Sequence, residues 1–333
     1  MKRTILLVCL VFVLVIGSGY ILDFEAKAEA EYNIVTGVMV SDGHFYTEGV
    51  KRFAEIVADR TDGRVNIDIY AGAVLGSEEE IWENIQAGSV DAGVVAGMQA
   101  GKFVAEQSFY GLPFLFENFE HRDAFMNSEG HEMMNQRLEE KGNMISLAAL
   151  GGETRVLITP EIKVETLEDI QGIDMRVWSP VVNDTWEALG TNTVTVDFGE
   201  IYTALQTAAV DAVDQCHEDL YLEGWYEQID YLTRTNHNIT LRHLLIGADQ
   251  FYSLPEDIQE ILIEAGKEAE VYQAELGRER MQEHEEYFIE NGVEMVDLQD
   301  KERWIEATAT IRDSFIEEHG LEEIYEIVQE LAN

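Results

Sequence analysis

The chain is 333 residues long and 46% hydrophobic, with 22 basic and 65 acidic side chains and a formal net charge of −43. That length exceeds one ordinary domain and that apolar content fills packed cores, so two lobes are expected and disorder is excluded. The charge repels nucleic acid and anionic membranes, which excludes both as partners.

The first residues, "MKRTILLVCLVFVLVIGSGYILDFEAKAEA", join a positive start at Lys2 and Arg3 to an apolar run from Ile5 to Ile16 and an Ala28-Glu29-Ala30 cleavage signal. This reads as an export peptide over residues 1–30, with a mature chain from about Glu31 placed outside the cytoplasm. The alternative is a retained membrane anchor, because the apolar stretch continues towards Leu22. Cys9 lies too early, after Val8, for a lipoprotein site. Once the signal is lost Cys216 has no disulfide partner, and it is expected as a packed residue or a cleft wall.

Tyr46, Val50, Phe53, Ile56 and Val57 fall at helical spacing within Phe45–Arg60, and "TDG" ends that helix. "RVNIDIYAG" alternates as a strand does. Ser77 is placed to cap a helix opening on Glu78, Glu79 and Glu80, where the helix dipole favours acids. "VDAGVVAG" follows as a short buried strand. Further on, "VETLEDIQG" predicts a short helix capped by Thr166, then the strand "IDMRVW", the helix "SPVVNDTWEALG" and the strand "TNTVTVDF". "GEIYTALQTAA" is a helix running into "VDAVDQ". From Leu254 the pattern is long acidic amphipathic helix, broken by one short strand at "VEMVDL". The acids are spread over these helices, as a solvated face or as a surface suited to concentrated salt, which screens charge within about 3 Å at 1 M.

"EIWENIQAGSVDA" (80–92) and "EIYTALQTAAVDA" (200–212) share six of thirteen residues. A helix-into-strand unit built twice predicts two lobes of similar wiring. Ligands bind at the carboxyl ends of strands in such α/β sheets, so facing sheets make a cleft.

Several phrases together resemble the solute-binding subunit of TRAP transporters: "FAEIVADRTDGRVNIDIYAGAVLGS", "GLPFLFENFEH", "LEDIQGIDMRVWSP", "FGEIYTALQTAAVDAVDQ", "TNHNI" and "LPEDIQEIL". Their order runs from about Glu31 to the C-terminus. The resemblance implies a two-lobed, periplasmic-binding-protein-like α/β fold with an interlobe cleft and long C-terminal helices. One lobe would hold 31–153 plus about 243–283, the other 154–242 plus about 284–333.

The resemblance also implies site residues. Arg176 stands where the family's arginine pairs with a ligand carboxylate, a role suited to a planar, permanently charged fork; its other reading is a salt bridge to Asp174 or Asp169. Arg155 matches a second arginine that either reaches the ligand or braces the crossing strand. Phe198 matches an aromatic that packs on ligand. Gln215 stands where the family has a ligand-bonding Asn, and Trp178 where Pro follows "RV". Glu78 aligns with an acidic position that touches some ligands, and His44, Phe45 and Tyr46 lie near the first cleft loop, more as scaffold than as contacts. Ala212, Asp214 and Cys216 depart from the family pattern, which leaves the ligand open among a C4-dicarboxylate, a sugar acid, another small carboxylate and an ectoine-like osmolyte. TRAP membrane subunits are the implied partners.

No G-x-S-x-G, H-E-x-x-H, P-loop, G-x-G-x-x-G or Cys/His metal spacing is present, so no cofactor or metal is expected. His217-Glu218-Asp219 reads as a charged loop or helix start rather than an acid–base group. A secreted carboxylate-processing enzyme and a sensor feeding a membrane receptor are the alternatives to transport.

Overall fold

The computed structural model describes residues 30–332; the expected export peptide, up to residue 29, and Cys9 lie outside these described residues. A first helix α1 (Phe45–Arg60) follows strand β1 (Tyr32–Gly37) and leads to β2 (Val65–Tyr70). Helix α2 (Glu78–Gln86) then leads to β3 (Ala92–Ala96). The predicted cap is present, with Ser77 and Glu80 closing a reciprocal capping box. Helices α3 (Phe119–Met126) and α4 (Glu129–Gly142) come next, then strands β4 (Met144–Thr154) and β5 (Val156–Thr159).

The second half repeats the wiring. Strands β6 (Asp174–Val177), β7 (Asn192–Thr195) and β8 (Ala212–Gln215) alternate with helices α5 (Pro180–Ala188) and α6 (Ile201–Gln206). After them come α7 (His217–Leu222), β9 (Tyr231–Arg234) and β10 (Ile239–Gly247). The chain ends with α8 (Glu256–Glu290), β11 (Glu294–Asp297), α9 (Lys301–His319) and α10 (Glu322–Leu331). Among the described residues no helix is long and apolar enough to cross a membrane.

The strands form two sheets, ordered β2-β1-β3-β10-β4 and β11-β9-β5-β8-β6-β7. Read from its other end, the second sheet begins β7-β6-β8-β5, so β3 and β8 hold equivalent places. Each lies parallel to the first strand of its unit and antiparallel to a strand from the crossing region. The internal repeat is therefore the last helix and strand of a β–α–β–α–β unit used once in each lobe.

The chain crosses between sheets at Arg155, between β4 and β5, and again between β9 and β10. Sequence periodicity passes over β1, β4, β5, β9 and β10. β4 and β10 are buried on nearly every residue and therefore show no in–out alternation. Edge strand β4 is covered by α8, whose Glu270 and Gln273 carboxyl and amide oxygens accept from Ala149 N (3.1 Å) and Gly151 N (2.7 Å). The approach needs Gly266, where an added Cβ would sit 1.8 Å from Leu147 O.

Two buried imidazoles, on α4 and β10, support the first lobe. His131 Nδ1 lies 2.8 Å from Tyr110 Oη, and His243 Nδ1 lies 2.9 Å from Ser146 Oγ. Burial, with smaller repulsion from Arg122, pushes both down to about 3. The unfolded chain takes up these protons near pH 6.5 and the folded chain does not until about pH 3. The associated stability is thus present above pH 6.5 and lost as pH falls, at about 2 kcal/mol per histidine by pH 5. Thermal melts should show the wild type losing more Tm between pH 7 and pH 5 than His243→Asn; equal losses would count against a neutral buried imidazole.

Candidate ligand cleft between the lobes

The carboxyl ends of the parallel strands face one another. His44, beyond β1, and Met98, beyond β3, meet Asp219, beyond β8, and the α5 residues Val181 and Val182. An interlobe cavity of about 10 Å³ is lined by Met98, Gly111, Arg155, Trp186, Asp214 and His237, among others, and has room for about one water. The lobes stand closed.

Arg176 lies on β6, between Val194 of β7 and Val213 of β8. Its Nε donates to Val196 O at 2.9 Å. Burial pushes its pKa down to about 10, partly offset by the charge of Asp214. Among the described residues Arg122, Arg155 and Arg176 are each at most 5% exposed, and only Arg176 has no carboxylate within 4 Å. Neither Asp174 nor Asp169 pairs with it: their carboxylates bond Asn192 and the Thr166 cap. A buried guanidinium with no directly paired carboxylate is costly, and Asp214 offsets that cost only from beyond 4 Å.

Arg155 differs. Its Nε donates to Asp214 Oδ2 at 3.0 Å, and its Nη2 to Asp214 O at 2.6 Å and Oδ1 at 3.3 Å. His237 Nε2 lies 3.0 Å from the same carboxylate, and His237 Nδ1 lies 2.8 Å from Thr235 Oγ1. Burial opposes the Asp214 charge, but Arg155 and His237 outweigh it and hold the carboxyl well below its usual range. The arginine at the crossing is thus already neutralised.

Trp178 brings the two arginines together: the guanidinium carbons of Arg155 and Arg176 stand 4.2 and 4.5 Å from its ring centroid. Gln215 ends β8 with its Oε1 accepting from Cys216 N at 3.2 Å, and its Nε2 bonds no described residue. Cys216 is buried and free, its thiol pushed up by burial and then by Glu153. Phe198 is half-buried in a short 3-10 turn, its ring edge-on to Trp225 at 5.1 Å. Glu78 sits in the first lobe with both oxygens engaged, by Ala96 N at 3.0 Å and by Arg242. The second lobe therefore brings Arg176, Arg155 and Trp178 together, whereas Gln215 bonds only its neighbour Cys216, Phe198 packs on Trp225 and Glu78 belongs to a separate ion pair.

Sequence reasoning did not name Arg242, Asp219 or His237 as cleft residues. His237 stands inside the quoted "TNHNI", but nothing in its spacing marks it as the partner of a residue 23 positions earlier.

Residues 36–319 match the model of DctP, bacterial extracellular solute-binding protein, family 7. The chain belongs to this family. It is similar to a solute-binding protein of Sulfitobacter sp. (strain NAS-14.1), 28% identical over 309 residues, which cover 92% of this chain and 93% of that one. It is also similar to a solved TRAP periplasmic solute-binding protein from Sulfitobacter sp. NAS-14.1 with bound α-D-taluronate, at 26% identity and TM-score 0.85 over 91% of this chain and 99% of that one. A second such structure, from Chromohalobacter salexigens with bound D-glucuronate, gives 26% identity and TM-score 0.85 over 90% and 99%. As a family 7 solute-binding protein the chain is a two-lobed binder and not an enzyme, and the carboxylate-processing alternative falls.

Proposed function

We propose that this protein captures one hydroxylated monocarboxylate, of the sugar-acid class, by closing its lobes on Arg176, and delivers it outside the cytoplasm to the membrane subunits of a TRAP transporter. The observation that carries the reading is the buried Arg176 guanidinium with no carboxylate of its own. A charge count then narrows the ligand. Arg155 is spent on Asp214 and Arg242 on Glu78, which leaves Arg176, among these arginines of the described residues, for one carboxylate. The second charge of a C4-dicarboxylate would find Arg155 already paired with Asp214, and an osmolyte's cation would find Asp214 already paired with Arg155. Hydroxyl groups suit the free Gln215 amide, and an apolar sugar face suits Trp178. The taluronate and glucuronate held by the similar structures support this class. Ligand favours the closed state only through contacts made there and not in the open one, and a buried Arg–carboxylate pair is such a contact.

The test is a thermal-shift screen followed by calorimetry with D-glucuronate, D-galacturonate, succinate, malate and ectoine. A sugar acid at 100 times its Kd should stabilise the protein by about 2.7 kcal/mol. A response confined to succinate, malate or ectoine would sink the monocarboxylate reading.

A further inference from the structure

The triplet His217-Glu218-Asp219 opens α7 on the second lobe, as a helix start, and the ligand reading above leaves it unused. All three side chains are buried, and each reaches outside its own sheet. Glu218 Oε1 accepts from Phe45 N, the first amide of α1 in the first lobe, at 3.1 Å. The same oxygen accepts from Arg280 Nη1 at 2.6 Å, and Oε2 lies 2.7 Å from His284 Nε2; both partners belong to α8. Arg280 Nη1 also donates to Gly43 O at 2.7 Å, in the loop that leads into α1. The Glu218 backbone N–H donates to Glu153 Oε1 at 3.1 Å, at the end of β4.

Asp219 Oδ1 faces His44 Nε2 at 3.3 Å across the same gap. His44 Nδ1 accepts from Tyr46 N at 3.2 Å, which leaves Nε2 to face Asp219 in a charge contact rather than an aligned hydrogen bond. His217 Nε2 lies 3.2 Å from Glu285 Oε1 of α8.

The first amides of a helix have no partner inside it. Here the side chain that serves the first amide of α1 comes from the opposite lobe. Opening the cleft strips α1 of that acceptor, parts Asp219 from His44 and draws Glu218 away from Arg280, which is tied to Gly43 of the first lobe, while the His284 contact on the second-lobe end of α8 remains. None of these contacts uses Arg176 or needs a solute.

We propose that Glu218 and Asp219 form an interlobe latch that populates the closed conformation through the protein's own side chains and prolongs the residence of a captured solute. The proposal rests on reading the protein as a closing binder, but its primary test needs no ligand. Cys216 is buried, so spin labels are placed on Glu55→Cys in the first lobe and Ala188→Cys in the second, both at exposed sites. Pulsed distance measurements on the ligand-free protein should resolve a closed population. That population should fall at least tenfold relative to the open one in Glu218→Ala, and severalfold in Glu218→Gln and in His44→Gln.

With D-glucuronate as probe, stopped-flow should show Glu218→Ala dissociating at least tenfold faster, with association within twofold of wild type, because encounter occurs in the open form. Circular dichroism and a cooperative melt check that each variant folds; Glu218→Gln and His44→Gln serve if Glu218→Ala does not. A wild type with no closed population, or folded variants whose distance distributions match it, overturns the latch. Failure of glucuronate to bind would strike the ligand reading alone, since the distances are measured without it.

Discussion

Arg176→Met should destroy capture of a sugar acid while leaving the ligand-free fold at least as stable as wild type. The side chain makes one hydrogen bond, to Val196 O, and has no carboxylate to lose. Removing it deletes a buried, desolvated charge, so differential scanning calorimetry should show an unchanged or raised Tm. On the proposed reading the ligand then loses the one buried cation without a paired carboxylate among the described residues, and a charged hydrogen-bonded contact of that kind is worth about 1.5–3 kcal/mol, or roughly 10- to 150-fold in Kd. Arg176→Lys should recover only part of the affinity, because an ammonium cannot present two parallel donors. Calorimetry giving Arg176→Met a wild-type Kd would remove this residue from the site. A large fall in ligand-free Tm would show instead that Arg176 is a structural group.

The opposite result is expected at Arg155. Arg155→Met leaves Asp214 ionised, buried and held by His237 alone, and breaking a buried pair from one side costs about 3–5 kcal/mol. Denaturant melts should show that loss, and Arg155→Met/Asp214→Asn should restore most of it, because the double change leaves no charge stranded. A single variant as stable as wild type, or a double variant no better than the single, would show that the pair does not brace the crossing between β4 and β5. The two arginines touch the same indole and therefore separate by experiment: one variant loses ligand and keeps its fold, the other loses stability first.

The chain itself determined a good deal. α1 spans Phe45–Arg60 as its apolar spacing requires, because one face of a 3.6-residue helix must be buried. Ser77 and Glu80 mark the start of α2 through local hydrogen bonds that need no distant partner. The recurrence of "VDA" after two similar helices pointed to duplicated wiring, and the sheets carry it out at β3 and β8. The order of short phrases along the chain was enough to suggest the family, which the match over residues 36–319 shows.

The tertiary structure decided what lies beyond local periodicity. β4 and β10 are covered on both faces, so their sequences carry no alternation to read. Which arginine is free could not be read from spacing either, since Asp214 reaches Arg155 from 59 residues away and His237 reaches Asp214 from 23, while the nearby acids Asp169 and Asp174 turn elsewhere. Glu218 likewise looks like one acid among 65 until folding sets it against the first amide of α1, 173 residues earlier. Local order follows from contacts within a few residues, whereas the charge state of a buried site follows from which distant groups share its low-dielectric space, and only the folded chain assembles those.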